Sequence, residues 1–198
     1  AKLDSNGDVV WAKGYGSTGN DGGNDIKVLP DGSSIISGNF RNSVNFFGTT
    51  LTSAGDSDGV VAKLDSNGSV IWVKQFGGTS IDTLDGLTIE SDNSYLVSGQ
   101  FWDTANLACT SITGSGFLDG FVANLDGNGN LIWVKSFGGN QNEFVQSIST
   151  YAPDITAPTF SSAATNTAGT KVILTYNEAL SATTAATSAF AVTTGGTN

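Results

Sequence analysis

Short runs of apolar residues alternate along the chain with runs of Asp, Asn, Ser and Gly. Residues 60–62 and 70–73 are apolar at consecutive positions, whereas a strand with one solvated face would alternate apolar and polar residues. Residues 65–68 (Asp-Ser-Asn-Gly), which lie between these runs, have the composition of a four-residue hairpin loop. The pattern predicts hairpins of short β-strands, some of which are covered on both faces.

One phrase occurs three times at a spacing of 61 residues, at residues 1–7, 62–68 and 123–129. A fixed period of this size indicates a repeat architecture, in which each unit buries its apolar surface against its neighbours. Each complete unit has four predicted strands: residues 25–29, 34–40, 60–64 and 70–76, with copies at 86–90, 94–101, 121–125 and 131–137. Residues 3 and 9–15 are predicted to be the last two strands of an earlier unit.

Long connections join the two hairpins of each unit, at residues 41–58 and 102–119. Residues 46–51 and their copies 107–112 are predicted to form a small extra hairpin there, since long loops in compact domains are functional or internally structured. Residues 144–150 are predicted to be the first strand of a further unit. We therefore expect further units N-terminal to residue 1, or other copies of the chain, to cover the apolar sheet faces.

Two residue types recur at fixed positions of the repeat: a strand tryptophan (Trp11, Trp72 and Trp133) and a turn aspartate (Asp4, Asp65 and Asp126). A repeated aromatic residue in a strand is expected to pack between units, with about 150–250 Å² buried by each ring. The turn aspartates are expected to cap their hairpin loops.

Composition excludes several functional classes. The formal net charge is −10, and the eight basic residues are scattered singly, so nucleic-acid binding is not expected. There is no apolar run near 18 residues, and membrane insertion is therefore not expected either. Cys109 is the only cysteine, which precludes an intrachain disulfide.

The absence of histidine removes the common nucleophilic triads and the HExxH type of zinc site, so the sequence does not predict an enzyme. The Asp-x-Asn-Gly turns are similar to the start of an EF-hand loop but lack its bidentate Glu, which favours a turn role. Asp56, Asp58 and Asp119 remain as candidate ligands for calcium; no other cofactor is predicted. Trp102 stands where the other copy has Arg41, at the start of a long connection, and is the candidate aromatic for stacking on a ligand.

Residues 58–68, followed by 71–78, resemble the bacterial seven-bladed β-propeller repeat of large exported proteins, and residues 31–40 fit the same pattern. The resemblance covers about residues 1–151 and implies an all-β fold, a partial β-propeller with four-stranded blades. Residues 152–158 contain two prolines and are predicted to be a linker. Residues 159–198, with predicted strands at 171–176 and 189–193, resemble the start of a bacterial Ig-like repeat and imply a partial sandwich domain.

These resemblances imply a non-catalytic structural or adhesive segment of an exported or cell-surface protein: a rigid spacer, a filament component or an adhesin. Its partners would be other segments of the same long chain or other copies of it. The acidic composition, poor in Lys and Cys, favours an extracellular location. Two alternatives are a propeller module that binds a surface glycan or protein, and a non-catalytic part of a secreted enzyme.

Overall fold

The computed structural model describes residues 1–46, 48–150, 160–165 and 172–176. These residues form strands and turns without any helix, so the predicted all-β class is confirmed. Within this described part of the chain there is accordingly no helix that could cross a membrane. The chain divides into two compact units, Ala1–Tyr151 and Ala152–Asn198.

The first unit contains twelve of the described strands. In chain order they are β1 (Lys2–Leu3), β2 (Val9–Trp11), β3 (Gly22–Val28), β4 (Ser34–Phe40), β5 (Ser43–Phe46), β6 (Thr49–Thr52), β7 (Asp58–Leu64), β8 (Val70–Gly78), β9 (Asp82–Ile89), β10 (Tyr95–Leu107), β11 (Thr110–Leu125) and β12 (Leu131–Phe137). Every pairing between these strands is antiparallel. The strands predicted for the two complete repeats are therefore present.

The two complete repeats form two four-stranded meanders, β3-β4-β7-β8 and β9-β10-β11-β12. They are not separate sheets, because β10 runs beyond its own meander and pairs with the end of β8. The residues in this ladder are Ala105, Asn106 and Leu107 of β10 and Gly78, Gly77 and Phe76 of β8. The meanders thus share one eight-stranded sheet.

The two long connections differ from each other. In the first repeat, β5 and β6 form a separate two-stranded hairpin, as predicted. In the second repeat, the hairpin predicted at residues 107–112 is also present, but it is the end of the long strands β10 and β11 and not a separate sheet. Ala108 and Cys109 form the turn between these strands, with φ angles of 48° and 70°.

The apolar core lies on both faces of the first meander. Along β7, Val61 packs into the cluster shared with the second meander, whereas Val60 and Ala62 pack into a cluster on the opposite face. All three side chains are almost completely buried. The predicted coverage of both faces is confirmed for residues 60–62, but not for residues 70–73, because Ile71 of β8 is 55% exposed.

Three strand predictions are wrong in detail. Residues 144–150 form no strand, because no described segment pairs with them, although Ser147 and Ile148 lie against Gly86 of β9. The strand predicted at residues 9–15 ends at Trp11. The strand predicted to end at residue 76 continues through Gly77 and Gly78, because β10 supplies their ladder partners.

The second unit has two described strands, β13 (Phe160–Thr165) and β14 (Val172–Tyr176), which form an antiparallel pair. β14 coincides with the strand predicted at residues 171–176. The predicted linker at 152–158 and the strand predicted at 189–193 lie outside the described residues.

Candidate functional site

The contact between successive repeats is the most regular side-chain arrangement in the first unit. The indole Nε1 of Trp11 donates a hydrogen bond of 3.3 Å to the carbonyl oxygen of Ser66. The Nε1 of Trp72 donates one of 3.1 Å to the carbonyl oxygen of Gly127. Both bonds join a tryptophan to the hairpin turn of the next repeat, 55 residues further on.

A glycine of the hairpin turn lies directly beneath each of these two rings. Gly68 and Gly129 are buried and have φ angles of 74° and 76°, a region that disfavours residues with a Cβ atom. A Cβ atom at Gly68 would lie 2.9 Å from the Trp11 ring, and one at Gly129 would lie 2.8 Å from the Trp72 ring. The turn therefore needs glycine both for its backbone conformation and for the approach of the ring.

The turn aspartates hold the turn in shape. The Oδ1 of Asp65 accepts hydrogen bonds from the backbone N–H groups of Asn67, at 2.9 Å, and Ser69, at 2.8 Å. Asp4 and Asp126 accept the equivalent pair of bonds in their own turns. In Asp126 these bonds lower the pKa of the carboxyl group. The carboxylates thus cap the hairpin loops.

The third tryptophan of the series has a different environment. Trp133 is 39% exposed, because no described segment supplies a turn against it. The expectation that Trp133 packs between units therefore stays a prediction, because the described residues contain no further repeat that could cover its ring. Phe137, four residues further on, is also exposed, whereas its copy Phe76 is buried and stacks on Phe121 at a centroid distance of 4.2 Å.

A second series of repeated carboxylates was missed at the sequence level. Asp21, Asp82 and Glu143 are spaced by 61 residues, and each accepts a bond from the backbone N–H group four residues earlier. For Asp82 that donor is Gly78, at 2.7 Å, and a second bond comes from the backbone of Trp102. The recurrence of an acidic residue at one repeat position is the signal that would have identified the series.

The structure separates the three candidate calcium ligands. Asp56 forms an ion pair with Arg41, with 2.7 Å between Oδ1 and the guanidinium nitrogen. Asp58 and Asp119 are buried at equivalent positions of different meanders. The Oδ2 of Asp58 accepts bonds from the Gln75 side chain and the Ala54 backbone. Among the described residues, no group of three or more Asp, Glu or Cys side chains is arranged to hold a metal ion.

Burial disfavours the charged form of the carboxylates at the junction of the meanders. It raises the pKa of Asp82 to about 7, and repulsion from the Asp58 carboxylate adds to the effect. Burial also raises the pKa of Asp58, although the Gln75 hydrogen bond opposes the shift. Protons therefore bind more tightly to Asp82 in the folded chain than in the unfolded chain.

We expect the free energy of unfolding to rise by on the order of 2–4 kcal/mol as the pH falls from about 8 to about 5. The pKa of the Asp82 carboxyl group is about 7 in the folded chain and near 3.8 in the unfolded chain. Its contribution to the free energy of unfolding is therefore complete below the unfolded pKa and is lost as the pH rises through about 7. Carboxyl groups with a lowered pKa, such as Asp126, stabilise the folded chain less as the pH falls. This loss occurs below the unfolded pKa of 3.8 and so outside the range from about pH 8 to about pH 5. Urea unfolding at several pH values measures the slope.

The matched variants for this experiment are Asp82→Asn and Asp8→Asn, the latter at an exposed aspartate. Asp82→Asn is expected to flatten the pH profile, even though its absolute stability falls because one backbone N–H loses its acceptor. Asp8→Asn should keep the wild-type slope. An unchanged slope in Asp82→Asn would assign the pH dependence to other groups.

The candidate ligand-stacking residue lies beside another exposed aromatic side chain. Trp102 is exposed, and its ring centroid lies 6.1 Å from that of Phe117, with 54° between the ring planes. The backbone of Trp102 is fixed by its hydrogen bond to Asp82. The two rings form an aromatic surface at the point where β10 and β11 leave the main part of their meander.

The chain shows a distant similarity to a known protein. The chain is 27% identical over 154 residues to the regulatory protein FlaEY of Caulobacter vibrioides. The match covers 74% of this chain but only 16% of that protein, so the chain spans a small part of its relative's length. No protein family model matches the chain.

Proposed function

We propose that the chain is a non-catalytic structural segment of an exported or cell-surface protein, in which stacked repeats form a rigid spacer or an adhesive surface. The repeated contact between a tryptophan and the next hairpin turn carries this proposal. The contact combines a buried glycine, an indole hydrogen bond and apolar packing, and it fixes each repeat relative to the next. A stack held in this way transmits force and keeps its loops at constant spacing.

The proposal extends to the fold of the whole repeat region, in which the four-stranded meanders are blades of a β-propeller. Its support is the antiparallel strand order of each meander and the burial of both faces of β7, the situation of a blade between two neighbours. The β13-β14 pair would then open an Ig-like sandwich. The acidic composition supports an extracellular location for both.

Proteolysis of intact cells that produce the protein tests the location. An antibody against residues 1–150 follows the chain during treatment with a protease that does not enter cells. We expect the signal to be lost from intact cells as fast as from lysed cells, while a cytoplasmic marker stays intact. A signal that persists until lysis would contradict a surface role.

A second candidate function is a module that binds a surface glycan, and the exposed pair of Trp102 and Phe117 favours it. A glycan array separates the two functions. Binding that is lost in Trp102→Ala but retained in Trp133→Ala would support the binding module. Absence of any binding that depends on Trp102 would favour the structural role.

A further inference from the structure

The two ends of the repeat region display the two halves of the contact that joins its repeats. We infer that Trp133 of one copy of the chain docks on the hairpin turn at residues 4–7 of a second copy, so that copies join head to tail. The inference rests on the proposed structural function and names its partner. Its template is the pair of internal contacts, Trp11 on the Gly68 turn and Trp72 on the Gly129 turn.

The half of the contact that supplies the tryptophan, here called the donor half, lies on β12. Trp133 is 39% exposed and Phe137 is 48% exposed, whereas their copies on β8 are covered by the second meander. Lys135 is exposed on the same strand; its copy Lys13 donates a hydrogen bond of 2.7 Å to the carbonyl oxygen of Gly68. This face therefore carries the apolar residues of an internal contact, together with a lysine at the position that binds the turn.

The other half, the hairpin turn at residues 4–7, is here called the acceptor half. It is already in its docking conformation. Gly7 has a φ angle of 87°, close to the values of Gly68 and Gly129, but it is exposed and no heavy atom lies within 4 Å of the position of a Cβ atom. The Oδ1 of Asp4 accepts the same two backbone hydrogen bonds as in the covered turns. A second chain would therefore meet a turn that needs no rearrangement, which lowers the cost of binding.

Apolar residues flank the acceptor turn as well. Leu3 is 55% exposed, whereas its copies Leu64 and Leu125 are buried. Val9 is 63% exposed, and its copies at residues 70 and 131 are partly buried. The exposed residues thus belong to the repeat positions that become covered when a neighbouring repeat is present.

The two halves lie at different places on the molecule, so docking is heterologous: one copy uses its donor and the other its acceptor. The net charge of −10 opposes the approach of two copies, and this repulsion is screened by salt. Association should therefore strengthen as the salt concentration rises, the reverse of an interface held by surface ion pairs.

Complementation between two variants of the full chain tests the inference. Trp133→Ala removes the donor, and Gly7→Asn blocks the acceptor, because Asn tolerates a positive φ angle but adds a side chain where the incoming ring must lie. Each variant alone should associate about thirtyfold more weakly than the wild type, the loss of a central interface residue. An equimolar mixture should form dimers that grow no further, since each pair has one intact contact.

Sedimentation velocity over a wide concentration range provides the readout, and circular dichroism confirms that each variant is folded. The matched controls are Gly48→Asn, at another glycine with positive φ and open space, and Phe117→Ala, at another exposed aromatic residue. Both controls should associate as the wild type does.

Three results would overturn the inference: a wild-type chain that stays monomeric, self-association that is unaffected by Trp133→Ala, or a mixture that fails to dimerise. A monomeric wild type would assign both exposed halves to repeats of the same polypeptide instead. These results are independent of the proteolysis of intact cells. Failure of docking with surface exposure retained would therefore leave the proposed function in place.

Discussion

Trp72→Ala is expected to lower the free energy of unfolding by about 3 kcal/mol or more, whereas Trp133→Ala should lower it by less than about 1 kcal/mol. The Trp72 ring packs on the core between the two meanders and donates a hydrogen bond to Gly127. Its removal leaves a cavity against this core and removes the hydrogen bond to the turn. Trp133, at the same repeat position, is exposed and makes neither contact.

Urea unfolding at a concentration where the chain is monomeric measures both variants. The pair is matched, because the two residues have the same type, the same position in the strand and the same neighbours in sequence. Equal losses for the two variants would mean that the strand position, not the contact with the next repeat, determines the stability.

Gly99→Ala and Gly38→Ala are each expected to destabilise the chain by about 3 kcal/mol or more, and so to reduce the yield of folded protein sharply. A Cβ atom at Gly99 would overlap the carbonyl oxygen of Thr83, and one at Gly38 would overlap that of Gly22. Both clashes involve backbone atoms of a paired strand, next to a shift in register, and the strand cannot move away without loss of its ladder.

Gly14→Ala is the control, since no heavy atom lies within 4 Å of a Cβ atom at that position. It should change the stability by no more than about 0.5 kcal/mol. Near-ultraviolet circular dichroism and urea unfolding distinguish the variants. Wild-type stability in Gly99→Ala would show that β9 and β10 pair in a different register.

The strands of the complete repeats were predictable because their signals are local. Asp65 and Gly68 specify a hairpin loop on their own, and the apolar runs on either side specify two strands. The ladder between β10 and β8 was not predictable in this way. It joins residues about 30 positions apart that belong to different meanders.

The candidate site shows the same division. The repeat predicts that Trp72 packs between units, and the structure adds the partner, a glycine whose missing side chain makes room for the ring. The exposure of Trp133 depends on whether another repeat packs against its strand, which the sequence around it does not encode. Asp82 can be recognised only by comparing the repeats, since the backbone N–H groups that it binds carry no residue signature and its repeat position varies between Asp and Glu.

The ladder between β10 and β8 also has a mechanical consequence. Neighbouring units in most repeat arrays touch mainly through side chains, and they can open one at a time. Here backbone hydrogen bonds cross the boundary between the two meanders. The two meanders should therefore resist a pulling force as one unit. The β1-β2 pair belongs to a separate sheet and is joined to the next repeat mainly through Trp11 and two lysines. Under tension this pair would yield first and leave the eight-stranded sheet intact.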